Sequence, residues 1–350
     1  MSYVSNNETP SRRSKITIRQ IADKAGVSIA TVSRVLNDHG DVSAETRESV
    51  WKVAKEYGYN IARGQKNNRT GTGLIAVTMP FTAPEYFALI LAGAAEALTE
   101  HGFRIVLCPT RHDRDREKSL LEELSHGATD GALLVLPEES HEELRSLSDH
   151  GYRFVIVDPL ERPDSNLPTV SAAHSSAAMQ ATRHLIGLGH SRIAAITGPN
   201  RSMASIERLR GYHAALAGAG IMPTQELEIQ SDFLVDGGRK AARQLFRLSS
   251  PPTAIIAFND DMAVGAMQAA REFSLSIPKD VSIVGIDDNR EASLVTPPLT
   301  TVKQPLVEMG RMAVSILTRI LENHQLEPLH VELATTLVVR ESTGPCPTKN

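Results

Sequence analysis

At 350 residues, 41% hydrophobic and 22% charged, the chain has room for two or three compact units and the balance of a globular protein. Its net charge of −4 is unevenly placed: residues 1–70 carry 12 basic against 7 acidic side chains, net +5, and the rest carry 25 against 34, net −9. Two distant cysteines, Cys108 and Cys346, offer no disulfide framework, and no stretch has a secretory leader's apolar core or the length of a membrane span, so a reduced cytoplasm is the expected compartment.

A basic segment on an acidic body suits a polyanion partner for the first and a different task for the second, although small domains also differ in charge without functional cause. Residues 1–15 read as a flexible tail, and residues 16–59 as three short helices. Thr17 caps the first, whose Ile18, Ile21, Ala22 and Ala25 repeat on one face until Gly26 ends it. Ser28 caps the second. There Val32, Val35 and Leu36 form the inward stripe and leave Ala30, Thr31, Ser33, Arg34 and Asn37 outward. After the polar loop "NDHGD", whose Asp38 and Asp41 do not suit phosphate, Ser43 caps a third helix with Val50, Val53, Ala54 and Tyr57 inward. Two helices across a short Gly-containing turn make a helix-turn-helix, and the small, hydroxylated and Arg-bearing face of the second suits the major groove. A three-helix packing unit with a solvated face has the same periodicity.

The strings "TIRQIADKAGVSIATVSRVLN" and "VSAETRESVWKVAKEYGY" resemble the headpiece of the lactose-repressor (LacI/GalR) family. That resemblance implies that Ile29, Ala30 and Arg34 read bases, that Thr31 and Ser33 contact phosphates, that Asn37 anchors the end of the helix, and that Thr17 belongs to the DNA-contacting set. The linker, residues 60–73, departs from the family. Tyr59 is followed by only two residues before Ala62-Arg63, and Gln65 stands where relatives carry a wedging leucine, next to the helix-weakening Gly64. Arg63, Gln65, Lys66 and Arg69 are expected to lie along the minor groove, with a weaker central kink than an apolar wedge produces. Alternatively the shortened linker shifts register and another side chain wedges.

From Leu74 the runs "LIAVTM", "FRIVLC", "GALLVL", "FVIVD", "RIAAIT", "AIIAF" and "VSIVGID" alternate with helical segments such as Glu85–His101, Ser175–Leu188 and Asp261–Phe273. Such alternation predicts an α/β architecture of parallel sheets covered on both faces, too long for one small sheet, with a ligand cleft at the strands' carboxyl ends. The strings "HLIGLGHSRIAAITGP", "ERLRGYHAAL", "AFNDDMAVGA", "DVSIVGIDD" and "PPLTTVKQP" resemble landmarks of the same family's effector core, which is similar to periplasmic sugar-binding proteins. The resemblance implies two Rossmann-like subdomains over residues 74–343. Subdomain 1 covers 74–172 and 302–326, subdomain 2 covers 173–301 and 327–343, the crossovers fall near Ala172, Thr301 and Leu326, and residues 344–350 form a tail.

It further implies that Phe87 packs on the effector, that Asp158 ends a strand at the cleft, that Arg208 grips the effector, that Asn259 and Asp287 present polar groups, and that Phe233 forms an aromatic wall. Asp and Asn at strand ends also commonly cap the next helix. Pro84-Glu85 replaces the family's Asn-Pro pair and brings Glu85 to the cleft mouth. Glu138 and Glu139 would add negative charge if they turned inward and mean little if they face solvent.

No nucleophile elbow, phosphate loop or H-E-x-x-H pair is present, "GTG" at 71–73 lacks the context of a phosphate loop, and "RHDRDREK" reads as a solvated helix start. His184 and His190 are expected to be structural, so neither enzyme activity, cofactor nor metal is expected. The expected function is a homodimeric repressor, without the heptads of a tetramerising helix, whose hold on operator DNA depends on a sugar or related polyhydroxylated effector. Control by a protein partner such as a phosphocarrier is the alternative, and a transporter's solute-binding protein would need export and no DNA-reading headpiece.

Overall fold

The computed structural model describes residues 17–36, 42–56, 71–80, 84–110, 113–162, 164–322 and 330–347. The chain divides into two units, Met1–Thr70 and Gly71–Asn350.

The first unit contains α1 (Ile18–Ala25), α2 (Ile29–Leu36) and α3 (Ala44–Glu56). Thr17 and Gln20 form a capping box on α1, and Gly26 stops it in the left-handed region at φ 68°. The Ser28 hydroxyl accepts the Thr31 amide at 3.0 Å and so starts α2 immediately after the turn. Ile21 and Ala22, Val32 and Val35, and Val50 and Ala54 close one small core, flanked by Trp51 and Val53. Tyr57 lies outside the described residues.

The second unit begins with β1 (Leu74–Met79), α4 (Pro84–Glu100), β2 (Arg104–Pro109), α5 (Arg114–Glu123), β3 (Gly131–Val135), α6 (His141–Asp149), β4 (Phe154–Val157) and β5 (Thr169–Ala172). It continues with α7 (His174–Gly187), β6 (Ile193–Thr197), α8 (Met203–Gly218), β7 (Glu228–Gln230), α9 (Val235–Phe246), β8 (Ala254–Ala257), α10 (Asp260–Glu272), β9 (Ser282–Asp287), α11 (Arg290–Leu294) and β10 (Thr300–Lys303). The chain then adds α12 (Leu306–Leu321), β11 (His330–Leu333) and β12 (Thr336–Val338). Two six-stranded sheets result, in the orders β11-β5-β4-β3-β1-β2 and β12-β10-β9-β8-β6-β7. Every pairing is parallel except β10 with β12. Central strands such as β3, β6 and β8 are buried throughout because helices cover both faces, which is why they read as unbroken apolar runs.

Sheet membership moves two of the expected crossovers. Lys303 still pairs with Asp287 in the second sheet, so the chain leaves that sheet beyond Thr301. Leu333 pairs with Ala172 in the first sheet, so the third crossing follows Leu333 rather than Leu326. Residues 302–303 therefore belong with subdomain 2, and β11 with subdomain 1. The ends of the core also extend. The Thr72 and Gly73 amides bond to the Asp130 carboxylate at 2.5 and 2.9 Å, ahead of Leu74. At the other end His190 Nε2 donates to the Gly344 carbonyl at 3.0 Å and the Cys346 amide to Leu188 at 2.9 Å, so residues 344–346 pack as structure and not as a tail. His184, bonded to Thr343 at 2.9 Å, secures the same segment.

Candidate DNA-reading helix and effector cleft

On α2 the packing uses Val32 and Val35, both fully buried, and leaves Ala30 and Arg34 exposed with Thr31 and Ser33 half-buried. Ile29 stands 51% exposed at the head of the helix, a large apolar side chain with no place in the core. The Thr31 hydroxyl bonds the capping Ser28 hydroxyl at 2.8 Å, and the Thr17 hydroxyl serves the capping box of α1, so both have structural work independent of phosphate. Asn37, Arg63 and Gln65 lie outside the described residues.

The cleft of the second unit is built around Asp158, immediately after β4. Its Oδ1 accepts from His174 Nε2 at 2.6 Å and its Oδ2 from the Tyr86 hydroxyl at 2.5 Å. His174, the first residue of α7, takes a further bond on Nδ1 from Arg208 Nη2 at 3.3 Å. Arg208, 3% exposed, also donates from Nη1 to the Phe258 carbonyl. Burial opposes ionisation of Asp158, yet His174, Tyr86 and Arg208 hold its carboxyl below the ordinary carboxylate range. Burial and the Asp158 charge push the Tyr86 phenol well above its usual range, so it stays a donor. Arg208 is carried into place by α8. A Cβ on Gly211 would lie 2.0 Å from the Ser175 carbonyl, so only glycine lets α8 close on the start of α7 and set Arg208 beside His174.

At the ends of β9 and β10, Gln304 Nε2 donates to Asp287 at 2.5 Å. Burial pushes the Asp287 carboxyl up to about 7, with Arg208 and Gln304 pulling the other way. Asp158, Phe233 and Asp287 all have positive φ, at 54°, 67° and 142°, conformations that cost about 1–3 kcal/mol each and collect at functional sites. Three buried polar atoms among these elements have no hydrogen-bond partner: Arg208 Nε, Gln304 Oε1 and, one turn before Arg208 on α8, Ser205 Oγ. An open cavity of about 390 Å³ adjoins the Asp158–His174 pair, lined in part by Thr169, Glu207, Arg210 and His330, and shares neither Arg208 nor Asp287.

Several expected site residues are placed differently. Phe87 is 1% exposed in the core of the first sheet, and its neighbour Tyr86 is the aromatic that reaches Asp158. Asn259 caps α10, with Oδ1 accepting from Met262 at 3.0 Å and Nδ2 donating to the Phe233 carbonyl at 2.9 Å, which occupies both ends of its amide. The Phe233 ring lies over Gly198, packed against the core of the second sheet. Glu85 crosses the cleft mouth and accepts the Arg290 amide at 2.8 Å. Neither Glu138 nor Glu139 is a solvent-facing charge: Glu138 pairs with Arg201 across the cleft at 3.0 Å, and Glu139 is buried.

Residues 17–60 match the description "Bacterial regulatory proteins, lacI family", and residues 182–343 a periplasmic binding protein-like domain. The transcriptional repressor CytR of Escherichia coli (strain K12) is 34% identical over 95% of this chain and 97% of its own length. The chain belongs to the lacI family. Members of this lacI family set the fold as well: the solved complex of the transcriptional regulator CelR with cellobiose is 34% identical, covers 93% of this chain and 99% of that one, and has a TM-score of 0.73. The lac repressor dimer, solved with operator and the anti-inducer ONPF, is 28% identical over 94% of this chain and 99% of that one, with a TM-score of 0.71. This lacI-family chain is thus a helix-turn-helix transcriptional regulator by descent, with two parallel-sheet subdomains. Among the described residues no helix is long and apolar enough to cross a membrane.

Family landmarks did not single out Tyr86, His174 or Gln304 in this lacI-family member. Gln304 sits in the landmark "PPLTTVKQP" at the end of a short strand, and that position was its one signal in the sequence. His174 follows the short strand "TVSA" with no capping motif to mark it.

Proposed function

We propose that this regulator is a cytoplasmic homodimeric repressor whose operator affinity is set by a neutral, polyhydroxylated small molecule bound between the two subdomains. The base-reading residues are Ile29, Ala30 and Arg34, with Ser33 toward phosphate. The effector is held by Tyr86, Asp158, Arg208, Asp287 and Gln304, with Glu85 at the mouth. The observation that carries this reading is the set of orphaned buried atoms, Arg208 Nε, Gln304 Oε1 and Ser205 Oγ. A donor, an acceptor and a hydroxyl left unpaired in a buried site each cost about 1–3 kcal/mol unless a ligand meets them, and vicinal hydroxyls offer the complementary pattern. The solved CelR complex holds cellobiose, a neutral sugar, in the same fold.

A thermal-shift screen of neutral sugars, nucleosides and amines tests the proposal. A true effector at 100 times its Kd stabilises the chain by about 2.7 kcal/mol. Stabilisation by a neutral hydroxylated compound that Asp287→Ala abolishes is the expected result; binding that ignores Asp287 and Arg208 replacements would place the effector elsewhere.

A further inference from the structure

We propose that His174 decides which ligands the cleft accepts, by occupying one arm of the Arg208 guanidinium so that neutral ligands are taken and anions refused. The inference rests on the cleft being the effector site. A guanidinium grips a carboxylate or phosphate through two parallel N–H bonds, and its side edge, Nε with Nη2, is one such fork. In this cleft the fork is split. Nη2 gives one of its N–H groups to His174 Nδ1 at 3.3 Å and Nη1 one of its own to the Phe258 carbonyl, which leaves Nε the one guanidinium nitrogen with no partner at all. An anion that grips the side edge has to compete with His174 for Nη2, whereas a hydroxyl or carbonyl oxygen needs only the unpartnered Nε.

The proton inventory fixes how His174 does this. Arginine has no acceptor, so Nδ1 of His174 presents its lone pair to Arg208, and the ring proton sits on Nε2, facing Asp158 at 2.6 Å. Asp158's other oxygen is held by Tyr86. The imidazole is thus a neutral spacer between a carboxylate and a guanidinium that would otherwise close on each other. Its own position is secured by burial, at 6% exposed, and by the close approach of α7 and α8 at Gly211. Asp158 and Asp287 add charge repulsion against anions, so the His174 contribution has to be measured with that repulsion reduced.

Inorganic phosphate is the probe, titrated calorimetrically into the full chain. Four proteins are compared: wild type, Asp158→Asn, Asp158→Asn/His174→Ala, and Asp158→Asn/His174→Gln. With Asn at 158, no carboxylate there claims the freed arm. The Ala double variant should bind phosphate at least about tenfold more tightly than Asp158→Asn, because the fork is restored. The Gln double variant, whose amide oxygen can still accept from Arg208, should match Asp158→Asn, and Arg208→Lys added to the Ala variant should remove the gain. Equal phosphate affinity in the Ala double variant and Asp158→Asn, or a gain that the Gln variant shares, overturns the proposal. A second measurement needs no variant: nitrogen-15 NMR of His174 in the wild-type chain should show a bare Nδ1 and a protonated Nε2, and a proton on Nδ1 would contradict it. Neither experiment uses the effector, so a failure of the effector reading would show separately, as the absence of any neutral ligand in the stability screen.

Discussion

Ile29 leaves half of a large apolar side chain in water while Val32, one turn on, is fully buried, and Ala30 and Arg34, four residues apart, share one exposed face of α2. Exposed apolar and guanidinium groups on one short helix match what base edges offer, a thymine methyl and a guanine O6/N7 pair. Arg34→Ala is expected to cost about 1–3 kcal/mol per lost bidentate contact and to relax preference at one base pair in each half-site. Binding-site selection from random DNA checks it: a variant that keeps the parent's sequence preference would show that this helix is not reading bases. In the core, Glu117 is fully buried and burial, then Glu139, pushes its carboxyl up to about 8 from an ordinary 4.5. A carboxyl raised on folding contributes fully below the unfolded value, and that contribution is lost as pH rises from about 4.5 through about 8. Glu117→Gln should therefore match wild type near pH 5 and be more stable at pH 8.5 by about 1–3 kcal/mol, the scale for an unsatisfied buried group, read as a higher Tm there. Thermal melts across that range decide it. Residue identity at the cleft was the least legible part of the sequence. Tyr86 and Phe87 are adjacent on one helix, about 100° apart, and nothing in "PEYF" says which faces the core. Asn259 carries the same letter whether it caps a helix or meets a ligand, and the two bonds it makes locally are visible only in three dimensions.

At the level of elements, the seven apolar runs and the principal helices were readable, six of the runs because their strands are buried over most of their length, and the edge strand β2 by its apolar letters although only Cys108 in it is buried. Pro84–Glu100, His174–Gly187 and Asp260–Glu272 each begin one residue before the segment their periodicity marks. Short strands of mixed composition were not readable in that way. Those of subdomain crossover, β5, β10 and β11, are as short as β4 and β8 but mix polar with apolar residues ("TVSA", "TTVK", "HVEL"), and β11 alternates exposed and half-buried positions, so their sheet is chosen by partner strands and not by local pattern. That is why the second and third crossovers lie beyond Thr301 and Leu326. Gly211 shows an element contact with functional reach, since the α7–α8 approach that it permits holds Arg208 against His174. Gly211→Ala should push the helices apart, costing about 1–3 kcal/mol in stability as overpacked contacts do, and should weaken effector binding beyond what the stability loss explains. Effector titration below the variant's melting range separates the two; full-strength binding would show that the helix contact does not aim Arg208.

Across the whole molecule, the basic first 70 residues and the acidic remainder correspond to two compact units with different chemistry. The first presents α2, and the second buries Arg208 Nε, Gln304 Oε1 and Ser205 Oγ without hydrogen-bond partners. A ligand alters DNA binding only if it favours one arrangement of the subdomains over the other, and such coupling typically amounts to about 1–3 kcal/mol. Operator affinity, followed by fluorescence anisotropy on a selected site with and without the neutral ligand that stabilises the chain, measures that coupling. Saturating ligand should change the operator Kd by about 5–150-fold in the wild type, with the change absent in Arg208→Lys. An operator Kd unmoved by saturating ligand, or a full response retained by Arg208→Lys, would contradict control through this cleft.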